Sequence, residues 1–271
     1  MRNLLMPLIG SALLQVGCAG TTATYPNLKN ADVADARGTL VLPEGSGPFP
    51  AVVIVHGCSG IRPNAQVWAR FLKANGYASL VLDSFGPRSI GEVCTDPRRL
   101  SPQQRVNDAY AGLRYLSTRP EIAADRVAII GFSHGGAVVL DAAGAYWNES
   151  VTETSARFRA AIALYPACRG HLSNFRTPVL ILIGDRDDWT PSWSCEGLVR
   201  ELDRSSAPVD LRIYSGGLHA FDDVTSGAYR PDVQNPFSPT GYGATVGGDP
   251  RLLERAKAEV LDFLAKHVPA R

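Results

Sequence analysis

Ser133 stands in the run Gly131-Phe132-Ser133-His134-Gly135-Gly136, after the apolar Val127-Ala128-Ile129-Ile130 and before Ala137-Val138-Val139-Leu140-Asp141-Ala142-Ala143. A strand, a Gly-x-Ser-x-Gly turn and a helix in that order lift a serine hydroxyl to the top of a sheet. The turn is too tight for a Cβ two residues before or after the serine. The N–H of His134 then opens a helix, where developing negative charge is favoured. A hydroxyl becomes a nucleophile only when a base takes its proton. Of the five histidines, His219 is best placed, in Gly216-Gly217-Leu218-His219-Ala220-Phe221 after the strand-like Leu211-Arg212-Ile213-Tyr214. His56 ends an early strand, and His171 and His267 lie in segments with no other site feature. An acid to orient the base is offered by Asp185, Asp187 or Asp188, in Gly184-Asp185-Arg186-Asp187-Asp188-Trp189-Thr190-Pro191 after another strand. The chemistry these residues suit is acyl transfer through a covalent intermediate.

The elements that must position these groups alternate strand and helix. Strands are predicted at Gly38 to Leu42, Ala51 to Val55, Ala78 to Leu82, Val127 to Ile130, Ala160 to Tyr165, Pro178 to Ile183 and Val209 to Tyr214. Several are continuous apolar runs, as strands covered on both faces require. Helices are predicted from an Asn64 cap to Ala74, from Ser101 to Ser117, from the elbow to about Trp147, near Cys195 to Leu202, and from Arg251 to His267. This alternation predicts one α/β domain with a doubly wound, mostly parallel sheet, whose site is built by loops at the carboxyl ends of the strands. The 271 residues, 45% hydrophobic and 20% charged, suffice for one full core. A net charge of +1 leaves no electrostatic footprint for nucleic acid.

Residues 1–20 read as a signal peptide: a basic start, a short apolar stretch from Leu4 to Leu14, then Gln15-Val16-Gly17-Cys18-Ala19-Gly20. Cys18 is a candidate for lipidation, with ordinary cleavage after Ala19 or Gly20 as the alternative, so the chain is expected to be periplasmic, secreted or anchored to a membrane. Residues 21–37 read as a linker and 38–271 as the domain. Cys58, Cys94, Cys168 and Cys195 allow three pairings, among which sequence does not choose; loops leaving neighbouring strands at one end of the sheet favour Cys58 with Cys94 and Cys168 with Cys195.

The elbow, the Gly-x-x-Asp-x-x-x-Pro run from Gly184 to Pro191 and Gly217-Leu218-His219-Ala220-Phe221 together resemble an α/β-hydrolase, and within that fold the dienelactone hydrolase family, over nearly all of Gly38 to Val268. The order nucleophile, acid, histidine is the one this architecture uses. The resemblance singles out Asp187 as the acid. It also matches His56-Gly57-Cys58-Ser59-Gly60 to the loop giving the second oxyanion donor, the N–H of Cys58. It implies no cofactor and no metal. Dienelactone hydrolase proper has a cysteine nucleophile and a glutamate in the first-strand loop, where this chain has Ser133 and Gly57.

The expected activity is serine-dependent hydrolysis of small-molecule esters or lactones, with a serine peptidase or a non-catalytic envelope binding protein as alternatives. Only Cys168 to Thr177 occupies the place where many such hydrolases insert a cap, so a small, open site is expected, with the Gly- and Pro-rich segment from Asp222 to Pro250 as a pocket wall. Arg88 lies near the position where the resemblance places a carboxylate-binding arginine. The alternative is an aromatic-lined pocket for neutral esters, with Phe85, Phe132, Trp189, Trp193 and Phe221 around it and a core role as the other reading of Phe132 and Phe221.

Overall fold

The computed structural model describes residues 20–168, 172, 174–223 and 227–270. The signal-peptide reading (all but Gly20), Cys18 and His171 lie outside the described residues.

Eight strands form one sheet: β1 (Thr21–Pro26), β2 (Asp35–Val41), β3 (Phe49–Val55), β4 (Ala78–Leu82), β5 (Ile122–Phe132), β6 (Ala160–Leu164), β7 (Val179–Gly184) and β8 (Val209–Tyr214). Their order is β1-β2-β4-β3-β5-β6-β7-β8. The contacts of β2 with β1 and with β4 are antiparallel and all others parallel. Helices α1 (Pro63–Ala74), α2 (Pro102–Ser117), α3 (His134–Ala143), α4 (Ala145–Ser150), α5 (Ser192–Arg200) and α6 (Pro250–His267) flank this sheet. The apolar runs are explained by this enclosure: every residue of β3, β4, β6 and β7 is buried. Each valine or isoleucine so enclosed contributes roughly 1.5–3 kcal/mol. The result is the single-domain α/β-hydrolase fold, and among the described residues no helix intervenes between β6 and β7.

Three sequence expectations need correction. The segment 21–37, read as a linker, contains β1, which pairs along its whole length with β2. Helix α1 is not capped by Asn64. Its N-cap is Arg62, with Pro63 opening the helix, while Asn64 is buried and its amide donates to Asp222 at 3.2 Å. The elbow helix stops at Ala143, because Gly144 is extended (φ −65°, ψ 152°) and α4 starts afresh. The segment expected as a pocket wall carries a hairpin of β9 (Gly227–Gln234) and β10 (Tyr242–Gly247), paired antiparallel and separate from the main sheet.

Cys58 pairs with Cys94 and Cys168 with Cys195. The first bridge ties the loop after β3 to the loop after β4, and the second ties the loop after β6 to α5. Two disulfides point to an oxidising compartment.

Candidate active site

The elbow is forced by close approach. A Cβ on Gly131 would lie 2.2 Å from the carbonyl oxygen of Gly135, and one on Gly135 would lie 2.3 Å from that of Val55. Ser133 between them holds φ 52° and ψ −115°, a left-handed conformation that a side chain adopts only when its surroundings insist. Its N–H donates to Leu164 of β6 at 2.9 Å, and its carbonyl accepts from Ala137 as α3 begins.

The loops after β7 and β8 approach each other in the same tight way. A Cβ on Gly184 would sit 2.0 Å from the Gly217 carbonyl oxygen, so these two glycines let the aspartate loop and the histidine loop touch. His219 Nε2 lies 2.9 Å from Ser133 Oγ, and His219 Nδ1 lies 2.8 Å from Asp187 Oδ2. Both His219 and Asp187 are buried. Asp187 Oδ1 accepts the N–H groups of Trp189 and Thr190 at 3.0 and 2.8 Å, which fixes the carboxylate plane. The Thr190 hydroxyl adds a third contact, 2.9 Å from Asp187 Oδ2. The neighbouring aspartates have other work. Asp185 accepts the N–H of Gly216 at 2.7 Å, and Asp188 holds Thr245 of the hairpin through both its N–H and its hydroxyl. A serine hydroxyl, an imidazole and a buried carboxylate in one hydrogen-bonded line can transfer a proton from oxygen to nitrogen as the oxygen attacks a carbonyl.

The imidazole is clasped by Tyr165, edge-on at 4.8 Å between ring centroids, and by Trp189 at 4.8 Å. Tyr165 has φ 39°, and its hydroxyl donates to the fully enclosed Asp222. Asp222 also accepts from Trp68 and Asn64, and burial raises its carboxyl above the usual carboxylate range. Sequence reading missed this network. The only signal for it was an aspartate pair, Asp222-Asp223, directly after an apolar residue.

Arg105, in the first half of α2, was also missed, and it is completely buried. It donates to the His56 carbonyl at 2.7 Å and to His134 Nδ1 at 2.8 Å, and lies over the Phe85 ring. One guanidinium therefore braces both the β3 exit loop and the first residue of the elbow helix. Burial pushes it down to about 9, which leaves it charged at neutral pH. His56 is held neutral by burial and by Arg105, well below the ordinary imidazole range. Its Nε2 accepts the Ser84 N–H while its Nδ1 faces the Gly57 carbonyl, so it anchors its loop.

Two hollows open on Ser133. One, of about 300 Å³, is lined by Ser133, His219, Tyr165, Cys58 and the polar Arg62, Asn64, Glu92, Asp223 and Arg230. The other, of about 290 Å³, is lined by Ser133, His134, Val93, Pro97, Trp189 and Phe237, with cysteines of both disulfides. The hairpin walls both, through Arg230 and Val246 on one side and Gln234 and Phe237 on the other. Gly247 N–H donates to the His219 carbonyl and Gln234 N–H to that of Cys94, which fixes the hairpin over the site.

Of the three side chains expected against substrate, Trp189 lines both hollows, while Arg88 and Phe221 line neither. The Arg88 guanidinium is occupied by Asp32, Asp108 and the Ser84 carbonyl, so it joins the segment after β1 to α2. Phe221 is fully buried between Tyr165 and Tyr214 and belongs to the core. Among the described residues no group of three or more His, Cys, Asp or Glu is placed to hold a metal ion.

Comparison with known proteins agrees with this architecture. The family model described as "Dienelactone hydrolase family" matches residues 36–267. A Bradyrhizobium protein named "Probable 2-oxo-3-(5-oxofuran-2-ylidene)propanoate lactonase" is 25% identical over 205 residues, covering 71% of this chain and 81% of its own length. A mouse "Carboxymethylenebutenolidase homolog" is 28% identical over 229 residues, covering 80% and 82%. A crystal structure of a dienelactone hydrolase from Anabaena variabilis superposes with a TM-score of 0.64 at 16% identity, covering 92% of this chain and 98% of that one, a likeness of fold. With the family model spanning almost the whole described chain, this protein belongs to the dienelactone hydrolase family.

Proposed function

We propose that this protein is an exported serine hydrolase that cleaves esters or lactones of small molecules through an acyl-enzyme. The observation that carries the reading is the unbroken line from Ser133 Oγ through His219 to Asp187. His219 Nε2 takes the Ser133 proton as Oγ attacks the carbonyl carbon; Asp187 holds the proton on Nδ1 and stabilises the imidazolium. The N–H groups of His134 and Cys58 receive the oxyanion, the first with the favourable end of α3 behind it. His219 then gives its proton to the leaving oxygen, and a water activated by the same nitrogen releases the acid. The printed names of the relatives, a lactonase and a carboxymethylenebutenolidase homolog, support an ester or lactone bond as the target. Residues 1–20 act as the export signal, with Cys18 the candidate for a lipid anchor, and the two disulfides support that destination.

The reading is tested by turnover of p-nitrophenyl acetate beside a p-nitroanilide peptide. The ester should be hydrolysed and the peptide left intact, and Ser133→Ala should lower kcat on the ester by about 10⁴ or more. Retained ester turnover in that variant would remove Ser133 from the mechanism.

Arg105→Met gives a second expectation in which stability and activity part company. Removing a buried cation relieves its desolvation, while two acceptors lose their donor at about 1–3 kcal/mol each, so the net change in stability should be within about 2 kcal/mol. The oxyanion donors lose their common brace, so kcat should fall roughly 10- to 100-fold, with KM little changed, because the lost interaction concerns charge present only in the transition state. Unchanged kcat in a folded variant would make Arg105 a purely structural residue.

A further inference from the structure

The two hollows that share Ser133 differ in chemistry, and their positions relative to His219 differ as well. The more polar hollow is lined by His219 together with Asn64, Asp223, Arg62, Glu92 and Arg230, with Phe132, Tyr165 and Val246 completing it, while Cys58 and Trp189 line both. The apolar cleft is lined by Val93, Pro97, Trp189, Phe237 and the cysteines Cys58, Cys94 and Cys168, and His219 is not among its walls. At its mouth Phe237, 47% exposed, stands edge-on at 5.2 Å to Trp193, 59% exposed. Two large aromatic side chains kept at the surface beside a cleft that reaches the nucleophile are a face for an apolar ligand group.

The reaction itself decides which half of an ester goes where. Resting on the serine-hydrolase reading, the step is attack of Ser133 Oγ on the ester carbon. The bond from that carbon to the alcohol oxygen breaks, and the proton removed from Ser133 passes through His219 Nε2 to the departing alcohol. The alcohol oxygen must therefore lie beside His219, on the polar side. The acyl chain, attached to the same carbon but needing no proton, is left with the other hollow. We infer that the cleft between the Cys58–Cys94 loop and Trp189–Phe237 is the acyl subsite, and that the substrates are esters of an apolar acid, of a size between a short chain and a single aromatic ring, with a polar, hydrogen-bonding alcohol. The volume, about 290 Å³, sets the upper size, at the low end of small-molecule sites.

Two isomeric esters test this: 2-hydroxyethyl phenylacetate, with an apolar acid and polar alcohol, and 2-phenylethyl glycolate, with the polarity reversed. Each kcat/KM is divided by the rate constant of the same ester with hydroxide, which removes intrinsic reactivity. The wild-type protein should prefer the phenylacetate by roughly tenfold or more, the discrimination a mismatched apolar pocket supplies. Phe237→Ala, at an exposed position where folding is undisturbed, should lose at least about fivefold more on 2-hydroxyethyl phenylacetate than on 2-hydroxyethyl acetate. Equal or reversed preference between the isomers, or an equal loss on both esters in Phe237→Ala, would overturn the assignment while leaving the hydrolase reading intact. No turnover of any of the three esters, with Ser133 unreactive towards a fluorophosphonate, would overturn both.

Discussion

Asp187→Asn is expected to lower kcat by about 10⁴ while leaving the fold and its melting temperature nearly unchanged, because the substitution sends the proton of His219 to the wrong nitrogen. The backbone decides which way the amide turns. Asp187 Oδ1 accepts two N–H groups, from Trp189 and Thr190, so the asparagine oxygen must take that place. Its NH₂ group is then left facing His219 Nδ1, where Asp187 Oδ2 now sits at 2.8 Å. A donor there requires Nδ1 to be the acceptor, so Nε2 carries the hydrogen and points it at Ser133 Oγ. A protonated Nε2 cannot take the serine proton. Steady-state kinetics beside a thermal melt check this. A loss of only about tenfold, with the melt unchanged, would show that the carboxylate does not set the tautomer.

Removing the Cys58–Cys94 bridge by Cys58→Ala with Cys94→Ala should have the largest effect on stability. Its ends are 36 residues apart in sequence, and closing a loop of that length in the unfolded chain is worth about 4 kcal/mol. For a chain of this size that corresponds to a fall in Tm of roughly 10 °C. Cys168–Cys195 closes a shorter loop, of 27 residues, and its loss should cost nearly as much in stability. The two should separate in activity. Cys58 carries one of the proposed oxyanion donors and the other bridge carries none, so at a temperature where both variants are folded the first should lose at least about tenfold in kcat and the second much less. Equal kinetic losses would place the oxyanion loop under the control of something other than its disulfide, such as the Val93 N–H that donates to the Cys58 carbonyl at 2.8 Å.

Much of this architecture is legible in the chain because burial on both faces leaves a plain mark. The run Ala51 to Val55 reads as a strand since nothing polar interrupts it, and the structure encloses all of it. The elbow is legible for a steric reason, as only glycine fits where a Cβ would meet a carbonyl oxygen at 2.2 or 2.3 Å. The edges are harder to read. Thr21–Pro26 lies at the end of the sheet with most of its side chains exposed, and Gly227–Gln234 contains Pro231 and faces solvent over most of its length, so neither shows an apolar pattern. The supporting network beneath the site was illegible for a different reason. In Gln104-Arg105-Val106-Asn107-Asp108 a buried arginine looks like any surface arginine of a helix. Its burial depends on His56 and His134, which the chain brings to it from far away in sequence. Arg88 is the opposite case: its place after a strand is legible, but Asp32 and Asp108, which occupy its guanidinium, come from segments that carry no sign of it.

The central claim, that Ser133 is a nucleophile activated by His219, is tested most directly by peptide mapping after brief reaction with a fluorophosphonate. The account predicts one adduct per chain, on Ser133, absent from Ser133→Ala and formed at least about a hundredfold more slowly in His219→Ala, since the hydroxyl then lacks its base. An adduct on any other residue, or undiminished labelling of Ser133 in His219→Ala, would contradict it.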